Sequence, residues 1–409
     1  MRVNSLRNSL VFYLTLATLG AGAAVAEHGD DEDGPRTIQV DCSHGKTLKN
    51  VFDKNDRGPL VVEFKGTCTE DVTIPGDDIT LRGSDSTATV IGTVTVEGRS
   101  RVTLDSFTVR DTPVGSPITR IGDGVAVVSS QHIILTDLTV LNTGNIGMDL
   151  EGSTVDITDI SVTHSRGIGI ATALGSVVHA FGAITVTQAT GIGMIVTDTA
   201  QIQLSPRSVT TSTDNQGTGL SVQLQGHIFM HGGSRLTVSR NPVGISVVDL
   251  GNFTYGGATI EVSNNLFLGV QVGEVADWTP VAGVVPNVTI VNNGGPGVSV
   301  SRTGFVRLRE NTTITGNAGP GLIVDGSGVA VRGSVIQGNN GGHGDVFLSF
   351  GSRATFDGGN TFGSAVTCDG TSLIQGQFTC GAALTAAQAE ALRVAAGPPA
   401  AAIEALPQP

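Results

Sequence analysis

The sequence predicts an all-β chain wound into a right-handed parallel β-helix, a solenoid of about 12–13 coils of roughly 24 residues with a helical cap at each end. Three observations carry this. The phrase Gly, apolar, any, apolar returns at Gly124, Gly147, Gly169, Gly193, Gly219, Gly244, Gly269, Gly297, Gly321 and Gly344, at intervals between 22 and 28 residues. Self-similarity at a short, nearly constant period marks a repeat architecture. Inside the phrase apolar and small residues alternate, as in Leu220-Ser221-Val222 and Val298-Ser299-Val300, which is the period of a half-buried strand. The composition agrees: 57 glycines, aromatics at 4% and recurrent Val, Ile and Thr suit many short strands joined by tight turns.

From the N-terminus, residues 1–26 have the three zones of a secretory signal: Arg2 and Arg7, an apolar run from Leu10 to Leu19, and small residues ending in Ala24-Val25-Ala26. Cleavage before Glu27 leaves an acidic mature start over 27–36. The β-helix with its N-terminal cap takes 37–380, the cap being an amphipathic helix around Lys46 to Lys54 that turns Leu48, Val51 and Phe52 toward the first coil. Thr385 and Gln388 have capping-box spacing ahead of Ala386 to Ala396, and Gly397-Pro398-Pro399 stops that helix, so a C-terminal cap is expected over 381–397 and an Ala- and Pro-rich tail over 398–409. No later stretch reaches the ~18 apolar residues of a membrane span, so the expected location is secreted or periplasmic.

Within a coil, a second strand reads Leu138-Thr139-Val140, Ile184-Thr185-Val186, Leu236-Thr237-Val238 and Val288-Thr289-Ile290, and a third Val306 to Leu308 and Val329 to Val331. Asn215, Asn265, Asn293, Asn317 and Asn340 each stand four residues before a repeat glycine. Their amides are expected to stack as a structural ladder in one turn of successive coils, with no catalytic role.

The formal charge of −13 excludes nucleic acid as a natural partner, since phosphate neutralisation needs clustered Lys and Arg, and no Lys follows Lys65. Four cysteines in an exported chain point to disulfides. Cys42 and Cys68 flank the first apparent coil and Cys368 and Cys380 the last, which favours 42–68 and 368–380 among the three connectivities. The competing zinc site lacks Cys-x-x-Cys spacing and close His partners.

Ile38-Gln39-Val40-Asp41-Cys42, then Gly66-Thr67-Cys68 and Asp78-Ile79-Thr80-Leu81-Arg82-Gly83, resemble the opening of exported bacterial proteins of the right-handed parallel β-helix, pectin-lyase-like family, and the repeats extend that resemblance over roughly 37–380. The resemblance implies the fold and leaves activity open, because the family holds pectate lyases, polygalacturonases, alginate lyases and epimerases beside tailspikes and adhesins. The polygalacturonase pattern is broken: Gly76-Asp77-Asp78 is present, but Ser43-His44-Gly45 precedes it, Gly342-His343-Gly344 follows about eleven coils on, and no Arg-x-Lys element accompanies them. The Asp-Pro-His element of alginate epimerases is absent.

Candidate sites are few. Asp149 and Glu151 lie two apart on a predicted strand and so share one outward face, about 7 Å apart. Such a pair can hold calcium or divide acid and base roles across a sugar ring. The matching positions one coil away are Ala126 and Val128 on one side and Ala171 and Ala173 on the other, which leaves the pair isolated, with no evident cause for shifted pKa values. Between Val109 and Gly124 a long segment carries Pro113, Pro117, Arg120 and Asp123, either an overhanging loop with Arg120 as a carboxylate clamp or an irregular early coil. A second insertion, Gly273 to Pro286, holds Trp278, which either stacks on a sugar or buries itself to pin its loop. Arg307 and Arg309, followed by Arg332 and Arg353, make a cationic stripe able to grip an acidic polysaccharide, against the plainer reading of a mixed-charge surface with Glu310, Asp325 and Asp357. His132 and His227 are four coils, ~19 Å, apart and share no metal.

The expectation is an exported β-helix that binds surface or extracellular polysaccharide without a strong catalytic centre. The alternative is a polysaccharide lyase or epimerase acting on a uronate glycan, with Asp149 and Glu151 moving protons or holding calcium, Arg120 neutralising the uronate, and Asp123, Trp278, Arg307, Arg309 and Arg332 binding it. A structural envelope role is third. No cofactor is expected, calcium entering only with a lyase; the sequence names neither a metal site nor an oligomeric state.

Overall fold

The computed structural model describes residues 34–111, 122–339 and 344–383. Each full coil gives one strand to each of three stacked files, called here the first, second and third sheets. In the middle of the chain a coil runs Asp277–Pro280 in the first, Asn287–Val291 in the second and Val298–Ser301 in the third. The third sheet has fourteen parallel strands, from Val72–Thr73 to Cys380–Ala383. The solenoid therefore has about fourteen coils, more than the glycine phrase reveals, because the strands that open and close this sheet carry no such phrase. The other two files count as one 26-stranded sheet, since Thr154–Thr163 and Val177–Thr187 run through the corner between them unbroken.

Every strand pairs in parallel with its own sequel. Leu220, Ile245, Val270 and Val298 lie in one register row of the third sheet, and such inward rows of Val, Ile and Leu make one continuous core. The period-two patterning of the sequence thus becomes an inward row and an outward row on each sheet. Trp278 is in an inward row. It is 1% exposed and stacks on Phe253 of the preceding coil with ring centroids 4.4 Å apart. The stretch expected to be an insertion is therefore in part a regular strand, Asp277–Pro280.

The corner between the second and third sheets is closed by a relay of side-chain amides. Nδ2 of Asn215 donates to Oδ1 of Asn241 at 3.0 Å, and the pattern continues through Asn265, Asn293, Asn317 and Asn339 to Oδ1 of Asp345. From Asn241 to Asn339 each amide oxygen also accepts the backbone N–H of the preceding Asn, as Asn293 Oδ1 does from Asn265 at 3.0 Å, and that of Asn215 accepts from Ala189 N–H at 3.0 Å. Two expectations are corrected. Asn241, three residues before its glycine, belongs to the ladder, and Asn339 holds the rung assigned to Asn340. Leu322 pairs with Val346, so Asp345 and not Gly344 holds the last repeat position. Elsewhere glycine is required there: a Cβ on Gly219 would lie 2.4 Å from Val238 Cγ1 and 2.5 Å from Asn241 Nδ2.

The corner between the third and first sheets is a two-residue turn with both residues at positive φ: Asp198 and Thr199, Leu224 and Gln225, Asp249 and Leu250, Glu274 and Val275, Arg302 and Thr303. These turns stack because the coil-to-coil ladder runs through them, Gln225 N–H donating to Asp249 O at 3.2 Å and Leu250 N–H to Glu274 O at 3.1 Å.

Both expected disulfides are formed, Cys42–Cys68 with Cα atoms 5.2 Å apart and Cys368–Cys380 at 5.7 Å. Their sulfurs are thus covalently spent, which removes the zinc alternative. Helical caps of the expected size are absent from the described residues. Near the N-terminus the only α-helix is a single turn, Leu48–Phe52, started by Thr47, whose hydroxyl accepts from Asn50 N–H. One turn is enough to bring Leu48 and Phe52 into the core. The expected signal over 1–26 and the C-terminal cap from residue 384 on lie outside the described residues.

Candidate functional site

Asp149 and Glu151 occupy the outward positions of Met148–Glu151, while Met148 and Leu150 are wholly buried. The register sets Ala126 and Val128 beside them on one coil and Ala171 and Ala173 on the next, the neighbours read from the sequence. The electrostatics differ from that reading. Burial, with like charge from Glu151 and Asp123 adding to it, pushes Asp149 up to about 7. The isolation expected to leave the pair unperturbed is the reason for the shift, since small apolar neighbours solvate a carboxylate poorly.

Asp123 is held firmly. Its carboxylate accepts from the side-chain amide of Asn145 at 3.0 Å and from Ile146 N–H at 3.1 Å, and its carbonyl from the Thr93 hydroxyl at 2.8 Å. Among the described residues no Arg or Lys forms an ion pair with Asp149, Glu151 or Asp123. Arg120, Pro113 and Pro117 lie outside the described residues. Near neutral pH Asp149 is therefore poised between hydrogen-bond donor and acceptor, with the Glu151 carboxyl two positions along the strand.

The remaining candidates are not brought to this place. Arg307 lies on Phe305–Leu308, the first-sheet strand that follows Ser299 and opens the next coil; Ser299 is already six coils from Asp149, which puts Arg307 about 30 Å away along the axis. Its guanidinium lies over the Phe305 ring at 5.5 Å. The cationic stripe is broken: Arg307 is followed in register by Ala330 and Thr355, Arg353 stands in the row of Phe305 and Gly328, and Arg332 is paired to Glu310 at 2.9 Å. Arg309 follows the strand and is half-buried. Trp278 has no surface on which to stack a sugar, which corrects its proposed binding role; its indole N–H donates to the Tyr255 hydroxyl at 3.1 Å.

A surface feature missed in the sequence runs along the corner of paired positive-φ turns. Leu174, Asp198, Leu224, Asp249, Leu250 and Glu274 line an open groove there. The hydrogen bond that Asp249, when protonated, donates to Glu274, together with desolvation and the like charge of Glu274, raises Asp249 to about 6, while Arg302 pairs with Glu274. The signal in the sequence was acidic and apolar residues recurring just after the strands of the third sheet between Ile170 and Gly273, at positions where Asn or Gly is expected.

No protein-family model and no curated protein matches the chain. Among solved structures it is similar to the A-module of mannuronan C-5 epimerase AlgE6 from Azotobacter vinelandii, at 14% identity and TM-score 0.33 over 78% of this chain and 81% of that one. It is also similar to the receptor-binding tailspike of bacteriophage Det7, at 10% identity and TM-score 0.42 over 84% and 74%. A third is pectate lyase Pel9A, at 11% identity and TM-score 0.30 over 85% and 78%. Likeness of coil stacking does not transfer chemistry. By its own three files of parallel strands and its fourteen-coil register, the chain is a parallel β-helix protein of the right-handed type.

Proposed function

We propose that this chain is an exported protein that binds polysaccharide on the side of its β-helix, with the Asp149 and Glu151 face of the third sheet as the place of engagement. The observation that supports it is the half-buried Asp149 raised to about 7 between flanking coils that set only Ala and Val beside it and Glu151. A carboxyl poised between its two protonation states can give a hydrogen bond to a sugar oxygen or take one from a hydroxyl, and Glu151 and Asp123 supply further acceptors. Export fits the two disulfides, which persist in oxidising compartments. The known carbohydrate-acting proteins of similar architecture, an epimerase and a lyase by name, agree with a glycan partner. The test is a glycan array probed with the mature protein and with Asp149→Asn: loss of the bound spots in the variant supports the site, and identical patterns refute it.

The same observation favours a second reading, acid–base chemistry on a glycan. A carboxylic acid near pKa 7 and a carboxyl about 7 Å away have the separation of an inverting hydrolase pair. The carboxyl groups of Asp149, Glu151 and Asp123, with no ion-paired cation among the described residues, disfavour a uronate, so a neutral glycan suits this face better than the uronate polymer of the lyase or epimerase alternative. Release of reducing ends from a neutral glycan, abolished by Asp149→Asn and by Glu151→Gln, would establish hydrolysis. A rise in absorbance at 235 nm with polygalacturonate or alginate would instead establish a lyase.

A further inference from the structure

The groove at the corner between the third and first sheets is built against local preference. Leu174, Leu224, Leu250 and Val275 are 60%, 48%, 51% and 59% exposed. All four stand at positive φ, between 48° and 65°. A leucine in the left-handed region is disfavoured by its Cβ, and a valine there is a genuine outlier. Asn or Gly would relieve the strain and the apolar exposure together, as Gly152 and Gly326 do at corresponding turns. Strain and exposed apolar surface retained at the same residues, at four of five successive turns of the stack, point to a use for those side chains.

Charge identifies the occupant. The groove holds Asp198, Asp249 and Glu274, and the cation next to it, Arg302, is taken up by Glu274. Asp249 and Glu274 approach closely enough to share a hydrogen bond, an arrangement of like charges that a bound cation relieves. The steps from Leu174 to Glu274 span about 19 Å, the length of a six-residue strand or a thirteen-residue helix. We propose that this groove docks a cationic amphipathic polypeptide segment, its apolar side chains on Leu224, Leu250 and Val275 and its Lys or Arg side chains on Asp198, Asp249 and Glu274. The residues that would hold the segment begin at Asp198, two coils on from the strand of Asp149, and the proposal does not depend on a glycan bound at Asp149.

The test uses the full mature chain and a fluorescein-labelled twelve-residue peptide of alternating lysine and leucine, with the glutamate–leucine peptide as control, read by fluorescence anisotropy. The lysine peptide is expected to bind at least tenfold more tightly than the control and to weaken with salt. It should also weaken as pH falls through 6 and Asp249, faced by Glu274 on the next coil and Arg302 beyond it, takes up a proton. The double variant Leu224→Asn with Leu250→Asn, whose new side chains suit positive φ, should melt no lower than wild type yet bind at least tenfold more weakly. Asp249→Asn with Glu274→Gln should lose the salt dependence. Equal binding of the two peptides, or unchanged binding by the leucine variant, overturns the proposal. So does a wild-type dimer that the leucine variant converts to monomer, since the occupant would then be a second copy of this chain.

Discussion

The indole N–H of Trp278 donates to the hydroxyl of Tyr255 at 3.1 Å, and that hydroxyl in turn donates to the carbonyl of Arg307 at 3.3 Å. This small chain of bonds crosses three coils inside the core and makes the single tryptophan of the sequence a structural reporter.

Trp278→Ala should therefore destabilise the helix by about 3–5 kcal/mol, through the cavity and the loss of the donor to Tyr255. Trp278→Phe keeps the stack on Phe253 and should cost less. Urea unfolding followed by far-ultraviolet circular dichroism gives the order. In the wild type, acrylamide should barely quench the emission, and added glycan should leave it unchanged; strong quenching would place the ring at the surface.

Asp149 gives the protein a pH signature. Its folded pKa of about 7 exceeds the ordinary value of 3.8, so the folded chain binds this proton more tightly than the unfolded chain does. The contribution to stability is full below about pH 4, declines as pH rises toward 7, and is level above it. Allowing for solvent screening at a partly exposed group, the decline should be about 1–2 kcal/mol. Asp149→Asn should remove it, which urea midpoints between pH 4.5 and 8 will show; a parallel slope in the variant would assign the decline to other groups.

How much of this was legible in the sequence follows from which physics acts within one coil. Strand parity and the glycine phrase are local, so the three files and most rungs of the ladder were readable. Asn241 escaped because its turn is one residue shorter before Gly244, and Trp278 because its strand was read as an insertion; alignment with Phe253 and Tyr255 one coil earlier would have shown its parity. The pKa of Asp149 depends on desolvation by Ala171 and its neighbours, which is a property of stacked coils. The turn leucines were hidden for the opposite reason: they violate the propensity on which turn reading relies.

The Asn265 side chain makes two buried donations and accepts two, so Asn265→Ala should cost about 2–4 kcal/mol. Asn265→Asp should cost more, because it removes the amide donor to Asn293 and buries a charge. Thermal melts of both variants check the order, and a milder aspartate would mean that the rung is hydrated.

Replacing both Cys42 and Cys68 by Ser should loosen the first coil by about 3 kcal/mol, since the bridge closes a separation of 26 residues. Hydrogen exchange should then quicken around Leu60–Lys65 and stay slow at Leu220–Val222. Uniform acceleration would show that the solenoid unfolds as one cooperative unit.

The amide relay has an electrical direction. In every rung from Asn215 to Asn339 the oxygen faces the preceding coil and the NH2 group the following one, so six side-chain dipoles, each comparable to a peptide dipole of about 3.5 D, add head to tail along the molecule. The positive pole of that row emerges at Asn339 and meets the carboxylate of Asp345 at 2.9 Å. A seventh amide there would only have extended the row; an anion terminates it, as an acidic side chain does at the start of an α-helix.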